Sequence, residues 1–130
     1  MLPCVDSCER GSVQKFTVSV QPGDILIAGS DGLLDNVFNR RAAKLVWDAK
    51  QRGATPGVAA QQLATFASSR ARDPVYISPF AKQARQSGFR YQGGKVDDIT
   101  VVVSYVQEAG ERPTAPAVGP PPPPPPMSKL

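Results

Sequence analysis

The sequence predicts an α+β fold in which helices pack on an antiparallel sheet. Three observations carry this reading. Two apolar, β-branched runs, Ile25 to Ala28 and Ile99 to Val106, have the composition of buried strands. Two cap-then-proline pairs between them, Thr55-Pro56 and Ser78-Pro79, each mark a helix start. Strands towards both ends with helices between them segregate sheet and helices into layers. The order is strand, strand, three helices, strand. Three strands make only part of such a sheet, so the chain reads as part of a larger domain.

The elements follow in chain order. Residues 1–14 are polar and irregular, with Pro3 and Gly11, and read as a leader. Lys15 to Val20 alternates, with Phe16, Val18 and Val20 on one face, the pattern of a half-buried strand. Gln21-Pro22-Gly23-Asp24 suits a type II turn, so Asp24 to Gly29 is the second strand of a hairpin, buried on both faces or nearly so. Asn39 to Arg52 puts Ala42, Ala43, Leu45, Val46 and Ala49 mostly on one stripe, with Trp47 at its edge. Asn36 or Asn39 is its candidate cap, and Gly53 ends it. The second helix opens at Thr55-Pro56 and runs to about Ala71, before Asp73-Pro74 breaks it. Ser78-Pro79 opens the third, Phe80 to Ser87, stopped by Gly88. The last strand, Ile99 to Val106, reads as central and covered on both faces.

Composition narrows the chemistry. The chain has 130 residues, 41% hydrophobic and 20% charged, as expected of one ordinary globular domain. Its formal charge is +4, and the nearest thing to a basic patch, Arg40, Arg41 and Lys44, lacks the interleaved aromatics of nucleic-acid binders. There is no histidine, which removes Ser-His-Asp and Cys-His catalysis and most zinc sites. Cys4 and Cys8 alone support neither a zinc site nor a disulfide framework and read as free thiols. No apolar run is long enough to cross a bilayer, and the first residues lack the apolar core of a secretory signal, so the chain reads as soluble.

The remaining chemistry lies in carboxylates. Asp31 and Asp35 follow the end of one apolar strand, and Asp97 and Asp98 precede another. Taken singly, each has a structural reading: Asp31-Gly32 as a tight turn, Asp35-Asn36 as a helix cap, Asp97-Asp98 as a guard against edge pairing. Taken together, acids at the ends of two buried strands repel unless water screens them or a cation lies between them, and hard cations such as Mg²⁺ and Mn²⁺ take such oxygen ligands. Gly93-Gly94-Lys95 is not a phosphate loop, because the full spacing is absent and no Ser or Thr follows the lysine.

In this order, Ser30-Asp31-Gly32-Leu33-Leu34-Asp35-Asn36, Ser78-Pro79-Phe80 and Gly93-Gly94-Lys95-Val96-Asp97-Asp98-Ile99-Thr100 resemble the C-terminal half of a metal-dependent protein phosphatase of the type 2C (PPM) family. The last two segments, with Phe89-Arg90-Tyr91, are similar to its organellar subgroup in mitochondria and plastids. The resemblance spans residues 15–106. It implies an antiparallel β-sandwich with flanking helices, of which this chain holds a part. It further implies a pair of Mg²⁺ or Mn²⁺ ions and hydrolysis of phosphoserine or phosphothreonine in proteins by metal-activated water. By motif, Asp31 and Asp97 are metal ligands and Asp35 helps to hold a further, weaker metal. Gly32 and Asp98 support them; Asp98 stands where many members have Asn. The family's first half, with its other ligands and its phosphate-contacting basic residue, has no counterpart here, so these residues alone are expected to be inactive.

From residue 108 on, apolar content collapses apart from Pro and Ala, and Pro120 to Pro126 reads as polyproline II in a disordered tail. It is either a ligand for an SH3 or WW domain or a passive segment. A catalytically inactive, phosphatase-like binding module using this tail is therefore the competing function, and an unrelated carboxylate-metal hydrolase a third.

Overall fold

The computed structural model describes residues 14–110, which form two strands and four helices. The proposed leader and the proline-rich tail lie almost wholly outside the described residues. In chain order the elements are β1 (Ile25–Gly29), α1 (Asp31–Leu34), α2 (Asn39–Gln51), α3 (Pro56–Ala71), α4 (Pro79–Gln86) and β2 (Val101–Tyr105).

The two strands pair antiparallel, with Ile25 opposite Tyr105 and Gly29 opposite Val101. Side chains alternate across the pleat, so Ile25, Ile27, Val101, Val103 and Tyr105 share one face. That face packs against a core of Leu33, Val37, Val46, Ala49, Ala59 and Leu63. The α+β arrangement expected from sequence is present, with α2 and α3 layered on one side of the sheet.

The other face differs from expectation. Leu26 is 49% exposed and Val102 55%, so neither strand is covered on both sides among the described residues. Continuous apolar strands were expected to be doubly buried; here helices cover one face and no described element covers the other.

The expected strand Lys15 to Val20 is also absent. These residues carry no regular structure, and Phe16 and Val18 are exposed. Alternation prepares a segment for a sheet, but a ladder needs a neighbour's backbone, and β1 gives its described ladder to β2. The turn that follows is as expected. The Asp24 N–H donates to the Gln21 carbonyl at 3.0 Å, and Gly23 takes φ +96°, which the third turn position requires.

Local chemistry sets the helices. Thr55 accepts from the Val58 N–H, and the buried Ser78 hydroxyl accepts from the Ala81 N–H at 3.0 Å while donating to the Gly93 carbonyl at 2.7 Å. The α2 start departs from expectation: Phe38 is its N-cap residue, Asn39 lies inside the helix, and no side chain caps it. Its far end is tied to the turn before β1, with the Lys50 ammonium donating to the Gly23 carbonyl at 2.8 Å. Lys44 pairs with Asp48 and the Arg41 guanidinium lies over Phe66, which leaves the basic stretch as a solvated helix face. No described helix is long and apolar enough to cross a membrane.

Candidate metal centre

The chain turns sharply at the end of β1 and brings Asp31 and Asp35 beside the segment that leads into β2. Ser30 makes the junction. Its N–H donates to the Thr100 carbonyl at 3.0 Å, its hydroxyl donates to the Asp98 carbonyl at 3.0 Å, and the Thr100 N–H donates back to that hydroxyl at 3.0 Å. This side chain takes a place in the ladder, which is why β2 begins at Val101 rather than at Ile99.

Asp31 then opens the single-turn helix α1, where a tight Asp-Gly turn was expected. Gly32 has no positive φ. Its role is space: a Cβ there would collide with the Asp98 carbonyl and press on Ile99. Glycine thus lets the Asp31 backbone approach the Asp97-Asp98 backbone. Asp98 contributes its carbonyl to that approach, and the Asp98 N–H donates to Asp97 Oδ1 at 2.8 Å.

Asn36 locks the two segments together. It is fully buried, and its Nδ2 donates both to the Gly32 carbonyl at 2.8 Å and to the Lys95 carbonyl at 2.7 Å. The Lys95 N–H donates to Asn36 Oδ1 at 2.8 Å. Asn36 is therefore a tie between segments rather than the helix cap that sequence suggested. The Asp35 carbonyl meanwhile accepts from the Phe80 N–H at 3.0 Å, which docks α4 alongside.

Lys95 is the residue that sequence reasoning missed. Its ammonium donates to Asp35 Oδ2 at 3.0 Å, lies 3.7 Å from Asp97 Oδ2 and sits 4.9 Å from the centre of the Phe80 ring. The hydrogen bond to Asp35 raises its pKa above the ordinary lysine value; desolvation opposes this, and the charges of Asp35, Asp97 and Asp31 add to it. All three acids proposed as metal ligands thus act on one ammonium. The sequence signs were its position two residues before Asp97 and its place in the Gly93-to-Thr100 motif, where only the acids were given a role. Gly94, in that stretch, packs against the end of α3, where a Cβ would strike the Arg70 carbonyl.

The acids open onto two clefts. Asp31, Asp35 and Lys95 line one of about 410 Å³ with Phe80, Gln83 and Phe89. Asp97 and Asp98 line another with Arg72 and Ser68. Carboxylate oxygens are the right donors for Mg²⁺ or Mn²⁺. The set is not closed, however: among the described residues, no three potential ligands gather closely enough to hold a metal ion.

No protein-family model matches the sequence. Curated relatives do. The chain is 50% identical over 100 residues to the protein named "Probable protein phosphatase 2C 55" of Arabidopsis thaliana, a match covering 77% of this chain and 21% of the relative. It is 47% identical over 95 residues to "Probable protein phosphatase 2C 80" of the same plant, covering 73% and 23%. Among solved structures, the X-ray structure of the photosystem II phosphatase PBCP aligns with a TM-score of 0.59 at 32% identity, over 69% of this chain and 38% of that one. The chain thus spans less than a quarter of the length of these two curated relatives. In sequence and in fold it matches the C-terminal region of the protein phosphatase 2C family.

Proposed function

We propose that this chain supplies the second-half carboxylates of a metal-dependent protein serine/threonine phosphatase. One observation carries the reading: the segments bearing Asp31 and Asp97, which follow β1 and precede β2 at the same end of the antiparallel pair, are drawn together by Ser30, Gly32 and Asn36. In the proposal, Asp31 and Asp97 ligate Mg²⁺ or Mn²⁺ together with groups beyond the described residues, and Asp35 assists. Such ions, when bound, activate water and neutralise phosphate charge without histidine. The residues described here orient the acids; the substrate is a phosphoserine or phosphothreonine protein. The organellar motifs and the kinship with a photosystem II phosphatase support a plastid location over a mitochondrial one.

A chimera tests this. Residues 15–106 replace the matching segment of the Arabidopsis relative, and release of phosphate from a phosphothreonine peptide is followed with Mn²⁺. Activity is expected, and Asp31→Asn or Asp97→Asn in the chimera lowers it by more than about a hundredfold, since loss of a ligand exceeds the effect of losing its outer partners. Undiminished turnover in both variants sinks the proposal.

The unclosed ligand set favours a second reading, a non-catalytic module that binds through its proline-rich tail, which lies outside the described residues. An inactive chimera, with this chain retained by an SH3 or WW panel, would support it.

A further inference from the structure

Lys95 has no role in the function proposed above, yet it occupies the middle of the site. Its ammonium bridges Asp35 at 3.0 Å and Asp97 at 3.7 Å, two acids 62 positions apart in the sequence. Both carboxylates are only partly exposed, at 21% and 36%, so neither is fully neutralised by water. A cation beside both offsets their repulsion, and the chain provides one of its own.

We propose that Lys95 is a built-in counter-cation that competes with divalent metal for Asp35 and Asp97, so that metal binding requires the ammonium to swing out of the site. The inference rests on the reading of these acids as cation ligands but not on phosphatase turnover. The geometry permits the exchange. Asn36 holds the Lys95 backbone through its N–H and carbonyl, so the side chain can leave without undoing the tie between segments. The ammonium lies over the Phe80 ring at the edge of the site and the lysine side chain is a third exposed, so the displaced ammonium has solvent within reach. Lysine serves such a role better than arginine would, because it is a compact point charge without a planar fork to fix it. The consequence is a site that stays charge-balanced and folded at low metal concentration and gives up part of its metal affinity in return.

The test is Mn²⁺ binding to the 130-residue chain without substrate, read by water-proton relaxation. Lys95→Met keeps the stem and removes the charge; it is expected to bind Mn²⁺ about tenfold more tightly, the scale of one partly screened charge near an ion pair. Lys95→Arg, which keeps the charge, stays within about twofold of the parent on the same argument. Adding Asp35→Asn to Lys95→Met removes the gain. No tightening in Lys95→Met, or a gain that survives Asp35→Asn, overturns the proposal. Independently of any substitution at Lys95, Mg²⁺ should shift the Lys95 ε-methylene resonance saturably in the parent chain and not in Asp35→Asn. A resonance indifferent to Mg²⁺ in the parent is equally fatal. Because both readouts omit catalysis, an inactive chimera with a released lysine would overturn the phosphatase reading and leave this one standing.

Discussion

Asn36 and Lys95 lie 59 residues apart and exchange hydrogen bonds through one side-chain amide. The amide accepts the Lys95 N–H at 2.8 Å and donates to the Lys95 carbonyl at 2.7 Å, completing on both sides what a sheet neighbour would have supplied. A second bond, to the Gly32 carbonyl, fixes the amide to α1. The placement of Lys95, and with it the charge balance of the acids, depends on this one buried residue.

Asn36→Ala should therefore destabilise the chain by about 2–3 kcal/mol, because the buried Gly32 carbonyl and the part-buried Lys95 backbone groups lose their partner. Asn36→Asp should also destabilise, since a carboxylate cannot donate to either carbonyl and brings a further negative charge beside Asp35. Urea unfolding followed by Trp47 fluorescence measures both. A loss below about 0.5 kcal/mol in Asn36→Ala, the range of ordinary surface changes, would show that the tie is dispensable.

Gly32 and Gly57 make opposite predictions for the same substitution. A methyl at Gly32 meets the Asp98 backbone, and Gly32→Ala should cost about 2 kcal/mol or more by overpacking. A methyl at Gly57, in the first turn of α3, meets nothing within 4 Å, and Gly57→Ala should stabilise by about 0.5 kcal/mol through the unfolded state. Equal effects in thermal melts would contradict the close approach of the two acidic segments.

Ser78 carries two obligations at once, capping α4 through the Ala81 N–H and satisfying the Gly93 carbonyl. Ser78→Ala should cost about 2 kcal/mol, at the upper end for a cap because the site is fully buried. Hydrogen exchange should then quicken at the Ala81 amide and at the Gly93 amide, whose bond to the Tyr76 carbonyl holds the same loop. Protection unchanged at both amides would separate the cap from the loop.

What could be read from the sequence follows the range of the forces involved. Thr55-Pro56 and Ser78-Pro79 marked α3 and α4 to within a residue, because a cap and a proline act within one turn. The type II turn at Pro22-Gly23 was legible for the same reason. Lys15 to Val20 was not, because its pattern specifies a strand only if a partner backbone is present. At the site, the acids themselves stood out, and Gly32 was read as part of a tight turn, whereas its small size is what the site uses. Lys95 and Asn36 were illegible because their partners lie about sixty positions away, and no local pattern announces an ion pair or an amide tie across that distance.

The uncovered sheet face gives the last prediction. Leu26 and Val102 lie on the face away from the helices, both about half exposed, beside Ala28 and Ser104 in a two-stranded sheet. An apolar face bounded by strand edges that no other described strand pairs invites association with another copy. This chain should therefore self-associate with rising concentration, and Leu26→Thr with Val102→Thr should suppress that association. Threonine is β-branched and suits a strand, so the unfolding free energy should change by less than about 1 kcal/mol. Sedimentation velocity across a hundredfold concentration range measures the first effect and urea unfolding the second. If the parent chain stays monomeric throughout, or the double variant associates as strongly, then the apolar face is not what draws copies together.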